Sequence, residues 1–306
     1  MNKQETYTVA EHTFRLIMSE ADSLWQMMEN AYTPFKVKED KQPLFTLTVK
    51  EEIPHLAATL VFIDPNPKAE DSKLDVYLTA EGYKFELRAS FTDNRIGQLY
   101  IDNDFGTADV VLNGNDFERL AGINSVLMLS YMLSTARLFT LLAHASVVVN
   151  DGKAYLFLGR SGTGKSTHSR LWQQAIQGTM PLNDDHPILR INEQGHVIAY
   201  GSPWSGKTPC YRNESAPVGG IVRIKRALKN NIRRLSPIES YASLLTSCFG
   251  MTWDKDLADG KDHTLQSIIT TVPCWTLECL PNEEAARVCA QAIRKKKKNA
   301  TSSISK

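Results

Sequence analysis

Along the first third of the chain, apolar and polar positions alternate over short runs: residues 13–18 (TFRLIM), 44–49 (LFTLTV), 57–63 (AATLVFI), 74–78 (LDVYL), 83–87 (YKFEL) and 98–102 (QLYID). A hydrophobic period of about two over such lengths is the mark of a half-buried strand. Turn-forming residues part the runs, with Asp64, Pro65, Asn66 and Pro67 in one gap and Glu81 and Gly82 in another. The pattern predicts an antiparallel sheet with one helix near residues 21–31, so that residues 1–115 form a strand-rich α+β domain. No nucleophile constellation falls in it, and His12 and His55 read as ordinary surface or core histidines. Such a region is expected to cover a catalytic core, hold a protein partner or mediate homo-oligomerisation.

The period then changes. Residues 116–142 read as a helix leading into a second domain, residues 116–295. Its stretch 122–143 is apolar enough to suggest a membrane span, but it carries Arg137, Asn124 and several hydroxyls, which fits a largely buried helix between two domains better. Two apolar runs follow, 144–149 and 153–158, separated by Asn150, Asp151 and Gly152, which reads as a three-residue hairpin turn ending in glycine. In that register Val149 pairs with Lys153 and His144 lies opposite Leu158. Beyond a glycine-rich loop, residues 167–176 continue as a helix with Leu171, Trp172 and Ala175 inward. Ser236, Pro237, Ile238 and Glu239 form a capping box with proline at the first helical position, opening a helix toward Gly250. Residues 253–260 read as an acidic loop without calcium-loop spacing. A buried strand over 272–280 and a closing helix over 282–295 end the domain, and residues 296–306 read as a disordered tail.

Composition narrows the class. With 42% hydrophobic and 23% charged residues and a net charge of +1, the chain is an ordinary globular protein with no general attraction for nucleic acid or membrane. The polar start of the chain lacks a secretory segment, and Cys210, Cys248, Cys274, Cys279 and Cys289 show no C-x-x-C pair or zinc spacing. The expectation is a cytoplasmic protein with reduced thiols.

The chemistry centres on Gly159, Arg160, Ser161, Gly162, Thr163, Gly164, Lys165, Ser166 and Thr167, which fit G-x-x-x-x-G-K-[ST] at every fixed position. Glycines let successive N–H groups turn toward phosphate oxygens, Lys165 reaches the outer phosphates, and the Ser166 hydroxyl suits Mg²⁺. A strand before the loop and a helix after it supply the context that the pattern needs, and the helix dipole adds to the attraction for an anion. The predicted register brings His144 beside the first glycine, where both a structural and a functional role are open. Asp184 lies 19 residues after Lys165 and Asp185 beside it, at the end of a strand. One of the two is expected to hold Mg²⁺ and the other to accept a proton from an attacking hydroxyl. Lys207 and Arg212 lie on the Gly/Pro-rich segment 201–212, which is long enough for a mobile loop bringing a cation over the site. The basic run Arg223, Lys225, Arg226, Lys229, Arg233 and Arg234 reads as a solvated strand end and turn, with reception of an acidic partner as the alternative.

Together, His144-Ala145-Ser146, the glycine loop and the Asp184-Asp185 pair resemble the superfamily of HPr kinase/phosphorylase and ATP-dependent phosphoenolpyruvate (PEP) carboxykinase. The segments 200–207 and 216–222 are similar to later blocks of the HPr-kinase-like group, so that the resemblance spans about residues 140–290. It implies an α/β fold (α+β overall) with a PEP-carboxykinase-like P-loop core preceded by the strand-rich domain. It also implies ATP phosphates on the loop backbone and Lys165, metal on Ser166 and one aspartate, the other aspartate as base, and His144 as a metal-proximal or catalytic histidine. The long C-terminal signature of HPr kinases is missing, as are the carboxykinase segments that hold oxaloacetate. The expected activity is therefore ATP-dependent phosphoryl transfer to a hydroxyl, such as a serine, of a protein, peptide or small molecule. The alternatives are a nucleotide-binding regulatory protein and a carboxykinase-type enzyme.

Overall fold

The computed structural model describes residues 1–38, 41–53, 56–63, 73–89, 94–206 and 208–294. Lys207, His55, the turn at 64–67 and the tail from residue 295 lie outside the described residues. Among those described, the architecture is mixed α/β, with two large sheets joined by a long helix.

The first sheet is built from β1 (Asn2–Val9), β2 (His12–Ser19), β3 (Lys36–Val37), β4 (Phe45–Val49), β5 (Thr59–Ile63), β6 (Lys73–Leu78), β7 (Gly82–Arg88), β8 (Arg95–Asp102) and β9 (Thr107–Leu112), in the order β3-β1-β2-β4-β9-β8-β7-β6-β5. It is not wholly antiparallel as the alternation suggests. Helix α1 (Leu24–Tyr32) carries the chain across to β4, which lies parallel to β2 on one side and to β9 on the other. Strands β1, β3 and β9 have no counterpart in the predicted set; β1 is polar, alternating only weakly between exposed and buried positions. Its turn into β2 contains no glycine, yet Ala10 and Glu11 both hold positive φ, 47° and 66°.

Helix α2 (Asp116–Thr135) opens on a capping box in which the Asn115 side chain accepts from the N–H groups of Phe117 and Glu118. It ends at Thr135, short of the predicted 142, because Thr140–Leu142 leaves as strand β10. Nine of its residues are buried, including Ile123, Leu127 and Tyr131, which join the core of the first sheet. Among the described residues, no helix is long and apolar enough to cross a membrane.

The second sheet contains β10, β11 (Ala145–Asn150), β12 (Lys153–Leu158), β13 (Met180–Asp185), β14 (Ile188–Ile191), β15 (Val197–Tyr200) and β16 (Ser215–Arg226), in the order β10-β14-β15-β16-β12-β11-β13, extended by β18 (Cys274–Cys279) and β17 (Asn231–Arg234). Strand β16 organises it. Its first residues pair with β15, and its later ones run parallel to both β12 and β18. Helices α3 (Lys165–Ala175) and α6 (Glu283–Arg294) pack on one face, and α4 (Pro237–Leu245) and α5 (Lys255–Thr271) on the other, so that each face has its own apolar core. Helix α5 replaces the acidic loop expected from 253–260: Asp254 is its N-cap, accepting from the Leu257 N–H, and the acidic residues after it lie on the helix. The capping box of Ser236 and Glu239 forms as the sequence indicates.

The β11–β12 hairpin is one residue tighter than predicted. Asn150 pairs with Lys153 and Ala145 with Leu158, leaving a two-residue turn of Asp151 (φ 49°) and Gly152 (φ 69°). Positive φ at both central residues matches the right-handed twist of the strands, which is why Asp-Gly closes hairpins in this way. His144 consequently lies just outside the paired strand rather than opposite Leu158.

Candidate functional site

The site forms where β11, β12 and β13 end together. Strand β12 runs into the glycine loop, and Gly164, at φ 103°, turns the chain directly into α3 without a side-chain cap. A β-carbon is strained in that backbone conformation. The first turn of α3 therefore offers uncapped N–H groups and the positive end of its dipole to the loop, an arrangement that favours an anion. Helix α3 is fixed from beneath: Trp172 is fully buried, its Nε1–H donates to His168 Nε2 (3.1 Å), and the Ser169 and Ser146 hydroxyls meet at 2.6 Å. Accepting from an indole requires His168 to be neutral at Nε2, and burial holds its pKa down to about 4.

Lys165, the first residue of α3, is only 8% exposed. Its Nζ lies 2.8 Å from His144 Nε2 and donates to the Gly159 carbonyl at 3.2 Å. Burial lowers its pKa, and the negative charges of Asp185 and Asp184 oppose that shift. His144 Nε2 also lies 3.2 Å from Asp185 Oδ1. A single ring nitrogen cannot accept a proton from Lys165 and donate one to Asp185 at once, so the two contacts are alternatives.

Asp185 sits at an irregular strand end with φ 125°, a conformation that costs a non-glycine residue energy and persists only where its surroundings impose it. Its Oδ2 is 3.5 Å from His186 Nδ1. Burial raises its pKa, but the hydrogen bond from His144 and the charges of His186 and Lys165 outweigh this and hold it below the usual carboxylate range. Phe249 packs its ring against both imidazoles, 6.4 Å from His144 and 5.4 Å from His186. The Asp184 carboxylate makes no hydrogen bond or ion pair among the described residues, while its backbone carbonyl accepts from Gly206 N–H (2.7 Å) and Ser205 Oγ (3.0 Å).

The segment expected to be a mobile loop is anchored over residues 201–206. The Asn183 amide donates to the Ser202 and Trp204 carbonyls, and both Ser202 and Trp204 are buried. Gly206 passes so close to Asp185 that a β-carbon there would stand 3.0 Å from Oδ2. Arg212 turns instead to Glu214, at 3.4 Å. The geometry therefore brings Lys165, His144 and Asp185 together, with Asp184 adjacent.

Three further residues border the site without being assigned to it from the sequence. His186 follows the aspartate pair directly, and its position there was the available signal. Asn183 precedes the pair and also accepts from the His186 N–H at 3.0 Å. Arg226, which reads as a solvated strand end, donates to the Gly162 carbonyl of the glycine loop. Beside that contact lies a cavity of about 290 Å³ lined by Thr163, Thr167, Leu171, Ile224, Arg226 and Leu280, among others.

Comparison with protein families and with curated proteins returns no match. Among solved structures, the HPr(Ser) kinase/phosphatase from Coxiella burnetii is similar at 15% identity and a TM-score of 0.29, over 50% of this chain and 99% of that one.

The residues fit the groups that the motif implies. A triphosphate matches a buried cation and an uncapped helix start. Among the described residues, no cluster of three or more His, Cys, Asp or Glu side chains is placed to hold a metal alone.

Proposed function

We propose that the chain is an ATP-dependent kinase with a P-loop core, transferring the γ-phosphoryl group to a hydroxyl of a protein, peptide or small molecule. The observation that carries this reading is the run of contacts at the mouth of the glycine loop: Lys165 Nζ to His144 Nε2 at 2.8 Å, and His144 Nε2 to Asp185 Oδ1 at 3.2 Å. A cation for the phosphates and a carboxylate for the incoming hydroxyl are the two protein groups that in-line phosphoryl transfer needs.

The acceptor oxygen bonds to the γ-phosphorus as the bond to the β,γ-bridging oxygen breaks, ADP departs, and the hydroxyl proton passes to Asp185. Lys165 neutralises charge on the transferring phosphoryl oxygens. As it turns toward them it releases His144 Nε2, and the neutral ring, shifting its proton from Nδ1 to Nε2 by exchange with solvent, then donates to Asp185 and orients the carboxylate. Ser166 and Asp184 would hold Mg²⁺, which when bound supplies charge neutralisation at the phosphates. Lys207, the residue after Gly206 in the sequence, would add a second cation.

Calorimetric titration of Mg-ATP and Mg-ADP into the wild type and the Asp184→Asn/Asp185→Asn double variant tests the reading. Binding that weakens in the variant is expected; absence of binding to the wild type would end it. An acceptor screen with γ-labelled ATP then separates a kinase from a protein that only binds nucleotide.

A further inference from the structure

The glycine loop has two sides, and only one of them meets the aspartates. On the other, the ends of β16 and β18 leave the cavity of about 290 Å³. Its floor is α3, through Thr167, His168 and Leu171, and its walls are Ile224, Ala227, Leu280 and Pro281, so that an apolar slot opens directly onto the loop residues Thr163 and Gly164. A phosphate has no use for such walls, whereas a flat aromatic ring does. Arg226 closes the slot. It is exposed, it stands at the last position of β16, and its guanidinium donates to the Gly162 carbonyl, tying the strand to the loop across the mouth of the cavity. A guanidinium both hydrogen-bonds in its plane and stacks on aromatic rings with its face.

We propose that this cavity receives the base of the bound nucleotide and that Arg226 is its recognition residue, stacking over the base while its planar fork keeps hold of the Gly162 carbonyl. The inference rests on the nucleotide reading above. It adds that affinity is divided between two subsites, a phosphate subsite at Lys165 and a base subsite at Arg226, with the side chain of Arg226 coupling them through the loop. His168 lies beneath the slot but is committed to Trp172, whereas Arg226 is exposed and carries the positive charge of the lining, with one side open to face a ligand.

The test compares Mg-ATP with inorganic tripolyphosphate, which carries the charge but no base, by calorimetric titration into the wild type, Arg226→Lys, Arg226→Ala and Ala227→Trp. Wild-type protein should bind ATP more tightly than tripolyphosphate. Arg226→Lys keeps the charge and loses the stacking plane, so it should weaken ATP about tenfold while leaving tripolyphosphate nearly unchanged. Ala227→Trp, which fills the slot from its rim, should give the same split. Thermal melts of each variant confirm folding, and Arg226, being exposed, leaves the core untouched when replaced. Equal wild-type affinity for the two ligands, or full ATP affinity in Arg226→Lys, would overturn the base subsite while leaving the nucleotide reading intact. Equal weakening of both ligands in Arg226→Ala and Arg226→Lys would likewise overturn it, reducing Arg226 to a prop for the loop. Failure of the wild type to bind either ligand would overturn the nucleotide reading, and this inference with it.

Discussion

The two sheets bury different things. In the first, the core is aromatic and aliphatic: Phe14 stacks on Phe45 at 5.1 Å, and Tyr7 meets Tyr32 edge-on. Its few buried polar side chains include Asp75, which is paired with Arg88. The second sheet buries Lys165, His168, Ser146, Ser169, Asn183 and Ser202, and these lie around the ends of three adjacent strands. Burying a polar group costs free energy unless it is hydrogen-bonded, and burying a charge costs more. Buried hydroxyls and amides such as Ser130, Asn150 and Ser243 occur elsewhere as well, but the buried lysine is found beside the glycine loop. On the proposed reading, the first sheet supplies stability and a wall and the second carries the reactive groups.

Breaking this division most sharply takes one atom group. Lys165→Ala is expected to remove phosphoryl transfer by at least about a thousandfold, on the scale of losing a principal electrostatic group. Stability should not fall, since a buried amine with a lowered pKa leaves with its desolvation cost. A γ-phosphate transfer assay beside a thermal melt checks both, and turnover near the wild-type rate would sink the assignment. Next in size are two core deletions. Phe14→Ala and Trp172→Ala each empty a large buried volume and should cost about 3–5 kcal/mol in denaturant unfolding. The comparison predicts that they differ in function: protein still folded after Phe14→Ala should bind nucleotide normally, whereas Trp172→Ala frees His168 and slackens α3, lowering affinity as well. Equal nucleotide affinity in the two variants would erase the distinction.

Acid should find a weakness in each half. Burial holds His168 near a pKa of about 4, and His12, through burial and the neighbouring Arg190 charge, at about 4, against an ordinary 6.5. Between those values the unfolded chain binds more protons than the folded one, so stability falls as pH drops from about 6.5 toward 4 and is fully present above that window. For His168 the loss should approach about 3 kcal/mol at the acid end. His168→Gln and His12→Gln should each flatten the melting temperature across that pH range, and an unchanged slope in either would show that its imidazole is not held neutral.

The legibility of the chain follows the same division. The glycine loop, the aspartate pair and the capping box are local patterns whose spacing is their chemistry, and they appear where the sequence places them. What needed three dimensions was whatever depends on a partner far along the chain. Strand β1 is too polar to read alone and becomes a strand by pairing with β2. The Ala10-Glu11 turn, without glycine, is held where Glu11 meets Arg190 at 2.6 Å and the Tyr200 hydroxyl at 2.7 Å. Arg226 looks solvated until the glycine loop is folded beside it. The hairpin register was off by one because Asn150-Asp151-Gly152 admits both a two- and a three-residue turn, and only the pairing of Asn150 with Lys153 decides.

The smallest expected effect concerns how the two halves touch. Trp204, on the segment that crosses the site, donates its Nε1–H to the Tyr32 hydroxyl of α1 at 3.0 Å, and that hydroxyl donates on to Asn124 Oδ1 at 2.8 Å. The first sheet thereby holds the segment whose next residues, Ser205 and Gly206, bond the Asp184 carbonyl. Tyr32→Phe leaves a buried indole N–H without its partner and should cost about 1–3 kcal/mol. Trp204→Phe removes that donor while the Tyr32 hydroxyl keeps Asn124, and the pair in a double-mutant cycle should show a coupling of about 1 kcal/mol. If the contact matters for function as well as for stability, Tyr32→Phe should also loosen the Asp184 side of the site and weaken Mg-ATP more than Mg²⁺-free ATP. Additivity within about 0.3 kcal/mol would mean that this hydrogen bond does not couple the two halves, and that the first sheet shapes this side of the site only as a wall.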